Sequence, residues 1–132
     1  MASQVAATNT LEVLRISSYI RGYHAYMDVW TPVQDEMLIL KREPTNVADR
    51  NAVAVYKDDQ VVGHVPFNLA PSFSHFLKRD VNKAFAKVVG EKINRGAGYR
   101  LEIPCVYHLY GPKPYIDKMT ELVDSLTTSG LV

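Results

Sequence analysis

The sequence predicts a mainly-β fold, a small and partly open barrel of six strands with two α-helices. Short runs rich in β-branched and aromatic residues recur along the chain, each bounded by turn residues. Two stretches carry apolar residues at helical spacing. One of these falls between the fourth and fifth strands and the other at the end, an order that a doubly wound sheet does not tolerate.

The first strand begins near Val13 with Leu14, Ile16, Tyr19 and Ile20, and Arg21-Gly22-Tyr23 closes it. His24 to Pro32 holds Tyr26, Met27 and Trp30, too apolar for a solvated loop, and is expected to lie across one mouth of the fold. Glu36 to Glu43 reads as the second strand, alternating about Met37 and Ile39, with Pro44 ending it. Asn51 to Tyr56 is the third strand and Gln60 to Val65 the fourth, joined by a Lys57-Asp58-Asp59-Gln60 turn. Ala52, Val53, Ala54 and Val55 make the third strand apolar on both faces, so it belongs inside the sheet and covered.

The first helix is expected over 67–79. Leu69, Phe73, Phe76 and Leu77 share one stripe, and Pro71 suits a first helical turn. Asn82 to Gly90 reads as the fifth strand, with Ala84, Ala86 and Val88 on one face and Lys83, Phe85 and Lys87 on the other. Asn94 to Gly98 is a turn. Leu101 to Tyr110 alternates most clearly, with Leu101, Ile103, Cys105, Tyr107 and Leu109 forming the buried face. Pro104 calls for an edge or a bulge, and Gly111-Pro112 for the strand's end. The second helix is expected over 114–128, docking through Ile116, Met119, Leu122, Val123 and Leu126.

The 132 residues suit one domain, expected over 12–128 between disordered tails at 1–11 and 129–132. The net charge of +1 excludes a generally basic coat. Residues 78–100 nevertheless carry seven cations against Asp80 and Glu91, or 7 − 2 = +5, while 1–77 and 101–132 each sum to −2. Such a stripe is either a solvated face or a phosphate contact. With one cysteine there is neither an internal disulfide nor a cysteine-cluster zinc site. His24, His64, His75 and His108 fit no metal-ligand spacing, and no nucleophile elbow or phosphate loop is present. The expectation is a non-enzyme without cofactor or metal. The start lacks a signal-peptide pattern and no apolar run could span a bilayer, so an intracellular protein, nuclear or cytoplasmic, is expected.

Arg42-Glu43-Pro44, Asn46, Asp49, Asn51-Ala52-Val53, Val55, Gly63-His64-Val65 and Leu69-Ala70 together resemble the HIRAN domain, a DNA-end-reading module of Swi/Snf-type translocases also found alone. The resemblance extends over about 12–125 and implies an OB-like barrel. It further implies a pocket for the 3′ end of single-stranded DNA, in the context of DNA repair. Carried over by residue, Arg21 would meet a phosphate, Asp49 would accept from the free 3′-hydroxyl, and Asn46 and His64 would line the pocket. Tyr23, Phe67, Arg95 and Gly96 complete the DNA-binding set. Asx residues also cap turns, Phe67 also serves to staple strand to helix, and His64 follows a glycine at a strand end, so each has a structural reading beside this one.

The sequence departs from the family at Ala48 and Gly22, where DNA-binding members carry aromatics, at Phe67, where they carry lysine, and at Arg95, where an aromatic precedes Gly96. Tyr23, Phe67 and Tyr99 are the candidate replacement rings. The competing expectation is a protein-interaction or scaffold domain that keeps the fold and has lost the end pocket. A monomer serving a separate motor or nuclease completes the expectation, with no membrane among the partners.

Overall fold

The computed structural model describes residues 10–94 and 101–128. It is mainly β: strands β1 (Leu11–Ile20), β2 (Met37–Arg42), β3 (Val53–Lys57), β4 (Gln60–His64), β5 (Lys83–Val88), β6 (Ile93–Asn94) and β7 (Leu101–Pro112), with helices α1 (Ala70–Phe76) and α2 (Lys113–Thr128). Six strands form one antiparallel path in the order β1-β7-β5-β2-β3-β4, and the two-residue β6 adds to β7. The sheet is mainly β as expected and does not close into a barrel. The two edge strands touch through a single antiparallel bridge, Arg21 with His64.

Period-two alternation decides most of the packing. On β7, Ile103, Cys105, Tyr107 and Leu109 are buried, and on β5 Ala84, Ala86 and Val88. The Tyr107 ring meets Phe73 of α1 edge-on at 5.3 Å, and its hydroxyl donates to the Tyr19 carbonyl. Burial pushes the Cys105 thiol up to about 12. Phe73 and Phe76 of α1, with Leu69 at the helix's N-cap, and Ile116 and Met119 of α2 cover the inner face as their spacing requires. The β3–β4 hairpin turns on Asp58 and Asp59, with Asp58 at φ 54, the left-handed conformation a two-residue hairpin loop needs.

Four expectations are corrected. Met37 and Ile39 lie exposed while Leu38 and Leu40 of β2 are buried; in the apolar run Met37–Leu40 either register satisfies local pattern, and pairing with β3 and β5 chooses one. Pro104 sits on neither edge nor bulge. It lies within β7, paired with Tyr19 in an unbroken β1 register, one residue past the end of the β5 pairing at Val88↔Cys105. Its carbonyl accepts from Val89. Gly111-Pro112 does not end the strand: Gly111 pairs with Glu12 and lies against Asn82 and Phe76, where a side chain would not fit. The first helix is shorter than 67–79, since Pro66 to Leu69 and the residues after Phe76 form turns. The ends of the chain and the Arg95–Arg100 stretch lie outside the described residues.

Candidate nucleic-acid interface

The site forms where β1 runs out against β4. Gly22, at φ 82, turns the chain after Arg21. The Arg21 N–H donates to the His64 carbonyl at 2.9 Å and the His64 N–H to the Arg21 carbonyl at 3.0 Å. Gly63 permits this approach, since a Cβ there would collide with Ile20 Cγ2 and press on the Arg21 carbonyl. The Arg21 side chain then crosses the seam. Its Nε donates to the Val65 carbonyl at 3.3 Å, and its guanidinium lies over the Phe67 ring at 3.8 Å. Burial draws the guanidinium below its usual value, against the opposing pull of the Asp49 and Glu102 carboxylates. A cavity of about 530 Å³ opens beside it, lined by Arg21, Gly22, His24, Pro66, Phe67, Asn68 and Glu102.

The Glu43–Asn51 loop does not line that cavity and meets the seam through Glu43 instead. Asn46 Oδ1 accepts from the N–H groups of Ala48 (2.9 Å) and Asp49 (3.2 Å), and Asp49 Oδ1 accepts from Asn51 N–H at 2.9 Å. These are Asx turns, which the spacing Asn46, Asp49, Asn51 anticipates. Asn46 Nδ2 donates to Glu43 Oε1 at 3.2 Å, and His64 Nε2 lies 2.8 Å from the same oxygen. Glu43 thus ties loop to seam. The Tyr26 ring stands 6.4 Å from that of His64; burial and the Glu43 charge raise its hydroxyl above the usual value, Arg21 opposing.

Arg21, Asn46, Asp49, His64 and Phe67 of the sequence-derived set are therefore brought to one seam. Tyr23 is not available as a stacking ring. It is 4% exposed, edge-on to Trp30 at 5.6 Å, with its hydroxyl donating to the Trp30 carbonyl. It belongs to the core, with Trp30, whose Nε1 donates to Glu36. Phe67 is the ring that does face outward, at 66% exposure. Arg95 and Gly96, and with them Tyr99, lie outside the described residues. Sequence reasoning missed Glu43 and Tyr26 as members of the site. Glu43 stood in plain view between Arg42 and Pro44, and only the seam shows what it bonds.

Among the described residues no cluster of three His, Cys, Asp or Glu is placed to hold a metal ion, and no helix is long and apolar enough to cross a membrane.

The family model described as HIRAN domain matches residues 15–109. Among solved structures, the crystal structure of the HIRAN domain of human HLTF superposes with a TM-score of 0.66 at 20% identity, covering 84% of this chain and 87% of that one. The NMR structure of the HLTF HIRAN domain in its DNA-bound conformation gives 0.62 at 20% identity over 93% and 95%. A Lactobacillus plantarum protein gives 0.51 at 14% identity over 76% and 98%. No curated protein matches the sequence.

Proposed function

This chain belongs to the HIRAN domain family, and from that premise we propose that it is a non-catalytic module that binds single-stranded DNA and reads a free 3′ end. The observation that carries this reading is the Arg21 guanidinium laid over the outward-facing Phe67 ring, at the rim of a cavity and under the influence of the Asp49 carboxylate. A cation beside a ring suits a phosphate next to a base. The carboxylate suits the hydroxyl donor of a free end. The relative solved in its DNA-bound conformation supports the same reading. The domain would span 12–128 and act as a monomer inside the cell, in the nucleus or cytoplasm, presenting a DNA end to a separate motor or nuclease in repair.

A single titration tests this. An oligonucleotide with a 3′-hydroxyl should bind, and one with a 3′-phosphate should bind far more weakly, because like charges about 4 Å apart cost on the order of 4 kcal/mol before screening at an effective dielectric near 20. Asp49→Asn should flatten that preference, and Arg21→Ala should weaken both ends alike and lower the salt slope by about 0.7. Equal binding of the two ends by the unaltered protein overturns the end-reading function.

The second reading, an interaction domain without an end pocket, is favoured by one observation. Asn46 Nδ2 and His64 Nε2 are both engaged by Glu43, and Asn46 Oδ1 by its own loop, so these groups are already satisfied within the protein. It expects DNA binding that is weak, indifferent to end chemistry and lost at moderate salt.

A further inference from the structure

Strands β2 and β5 pair from Met37↔Lys87 to Ile39↔Phe85 and then part company. Beyond that row Lys41 and Arg42 pair with β3, while Lys83 and Ala84 pair with β7. The fork opens a cleft of about 580 Å³ that shares no lining residue with the Arg21 cavity. Leu40 and Ala84 lie deep in it, and Lys41, Arg42, Arg79 and Lys83 line it against one carboxylate, Asp80. Among the described residues, none of these four cations is within ion-pair distance of a carboxylate. Arg42 Nε donates to Ser74 Oγ at 3.2 Å, and its charge stays uncompensated. Concave, uncompensated positive charge draws a polyanion.

Rings accompany the cations. Lys41 Nζ stands over the Tyr56 ring at 4.8 Å, and the half-buried Phe85 rims the cleft, edge-on to Tyr110 at 5.8 Å. An acidic peptide would satisfy the charges and leave the rings idle; a single strand uses both, phosphates on cations and bases on ring faces. A hollow of about 510 Å³ shares Arg42 and Pro44 with the cleft, and is also lined by Tyr56 of β3 and by Glu43 and Asn46, of which Glu43 bonds His64 at the seam. The cleft and the seam are thereby joined along one surface.

We propose that the β2/β5 fork is a second nucleic-acid contact, which holds the body of a single strand with Lys41, Arg42, Arg79 and Lys83 on its phosphates and Phe85 and Tyr56 against its bases. The contact does not depend on the end being read. The test is an anisotropy titration of the full chain with oligothymidylates of three and of twelve nucleotides, each with a free 3′-hydroxyl. The twelve-mer should bind at least tenfold more tightly. Combining Lys41→Gln with Lys83→Gln, both exposed positions, should cost the twelve-mer about tenfold. It should lower its salt slope by about 1.4, at about 0.7 per phosphate contact, and leave the three-mer unchanged. Phe85→Ala should cost the twelve-mer about fivefold or more.

Equal binding of the two lengths overturns the proposal, as does a double variant that weakens both lengths equally while melting like the unaltered protein. Competition by a twelve-residue polyglutamate as effective as that of the twelve-mer would also overturn it, in favour of an acidic protein partner. If a 3′-phosphate leaves twelve-mer binding unchanged while the length dependence and its loss in the double variant persist, the end-reading function fails and the cleft stands.

Discussion

The β1–β7 interface and the β1–β4 seam are built from the same first strand and differ in nearly everything else. Along β7, β1 pairs at every residue from Leu11 to Ile20 without a register break, over a face of Ile103, Cys105, Tyr107 and Leu109. Against β4 it pairs at one position, Arg21 with His64. The first interface is held by burial and by a continuous ladder. At the second, polar side chains hold one another: Glu43 bonds Asn46 and His64, and Arg21 stacks on Phe67. The long ladder fixes where Arg21 emerges, and the short seam leaves its side chain beside a cavity. A site on the edge of a rigid sheet needs both conditions.

The largest effect is expected on the ladder side. Tyr107→Ala removes a fully buried ring from Phe73 and should cost about 3–5 kcal/mol in urea denaturation; Tyr107→Phe, which removes the hydroxyl that donates to the Tyr19 carbonyl, should cost about 1 kcal/mol. A small loss for Tyr107→Ala would show that the two regions do not differ as described.

Alkaline pH probes the same face. The Cys105 thiol is held up to about 12 from an ordinary 9.0, so it is neutral in the fold at pH values where the unfolded thiol ionises. Its contribution is therefore complete below pH 9 and falls as pH rises from there to about 12, by about 1.4 kcal/mol per pH unit. Tyr107, also raised by burial, acts in the same direction above its ordinary 10.0. Thiol alkylation at neutral pH should accordingly be slow in the folded chain and fast in denaturant. Rapid modification without denaturant would place Cys105 on the wrong face.

Gly63→Ala separates the regions directly. The new Cβ would collide with Ile20 at the seam, at an expected cost of about 1–3 kcal/mol. In hydrogen exchange the Arg21 and His64 amides should open while the β1–β7 amides stay protected; a uniform loss of protection would mean the two regions open as one. The smallest effect belongs to Asn46→Ala, which removes the acceptor of two loop N–H groups and should lower the urea midpoint by an amount equivalent to about 1 kcal/mol.

The sequence by itself determined the mainly-β class, the inner faces of β5 and β7, both helical stripes and the Asx turns of the loop. In each of these, period or spacing leaves one arrangement that buries the apolar residues and satisfies the backbone. It also carried enough of the family pattern to name Arg21, Asn46, Asp49 and His64 as a group. Tertiary structure decided the rest. Met37–Leu40 is apolar throughout, so only the neighbours β3 and β5 could choose its face. Tyr23 and Phe67 are both aromatic residues next to a turn; packing against Trp30 buried the first, and the turn after β4 left the second outside. Glu43 acquired its role from His64, 21 residues away, through the register of β3 with β4. Local pattern reports what a residue would bury, and only long-range pairing reports which residue it will meet.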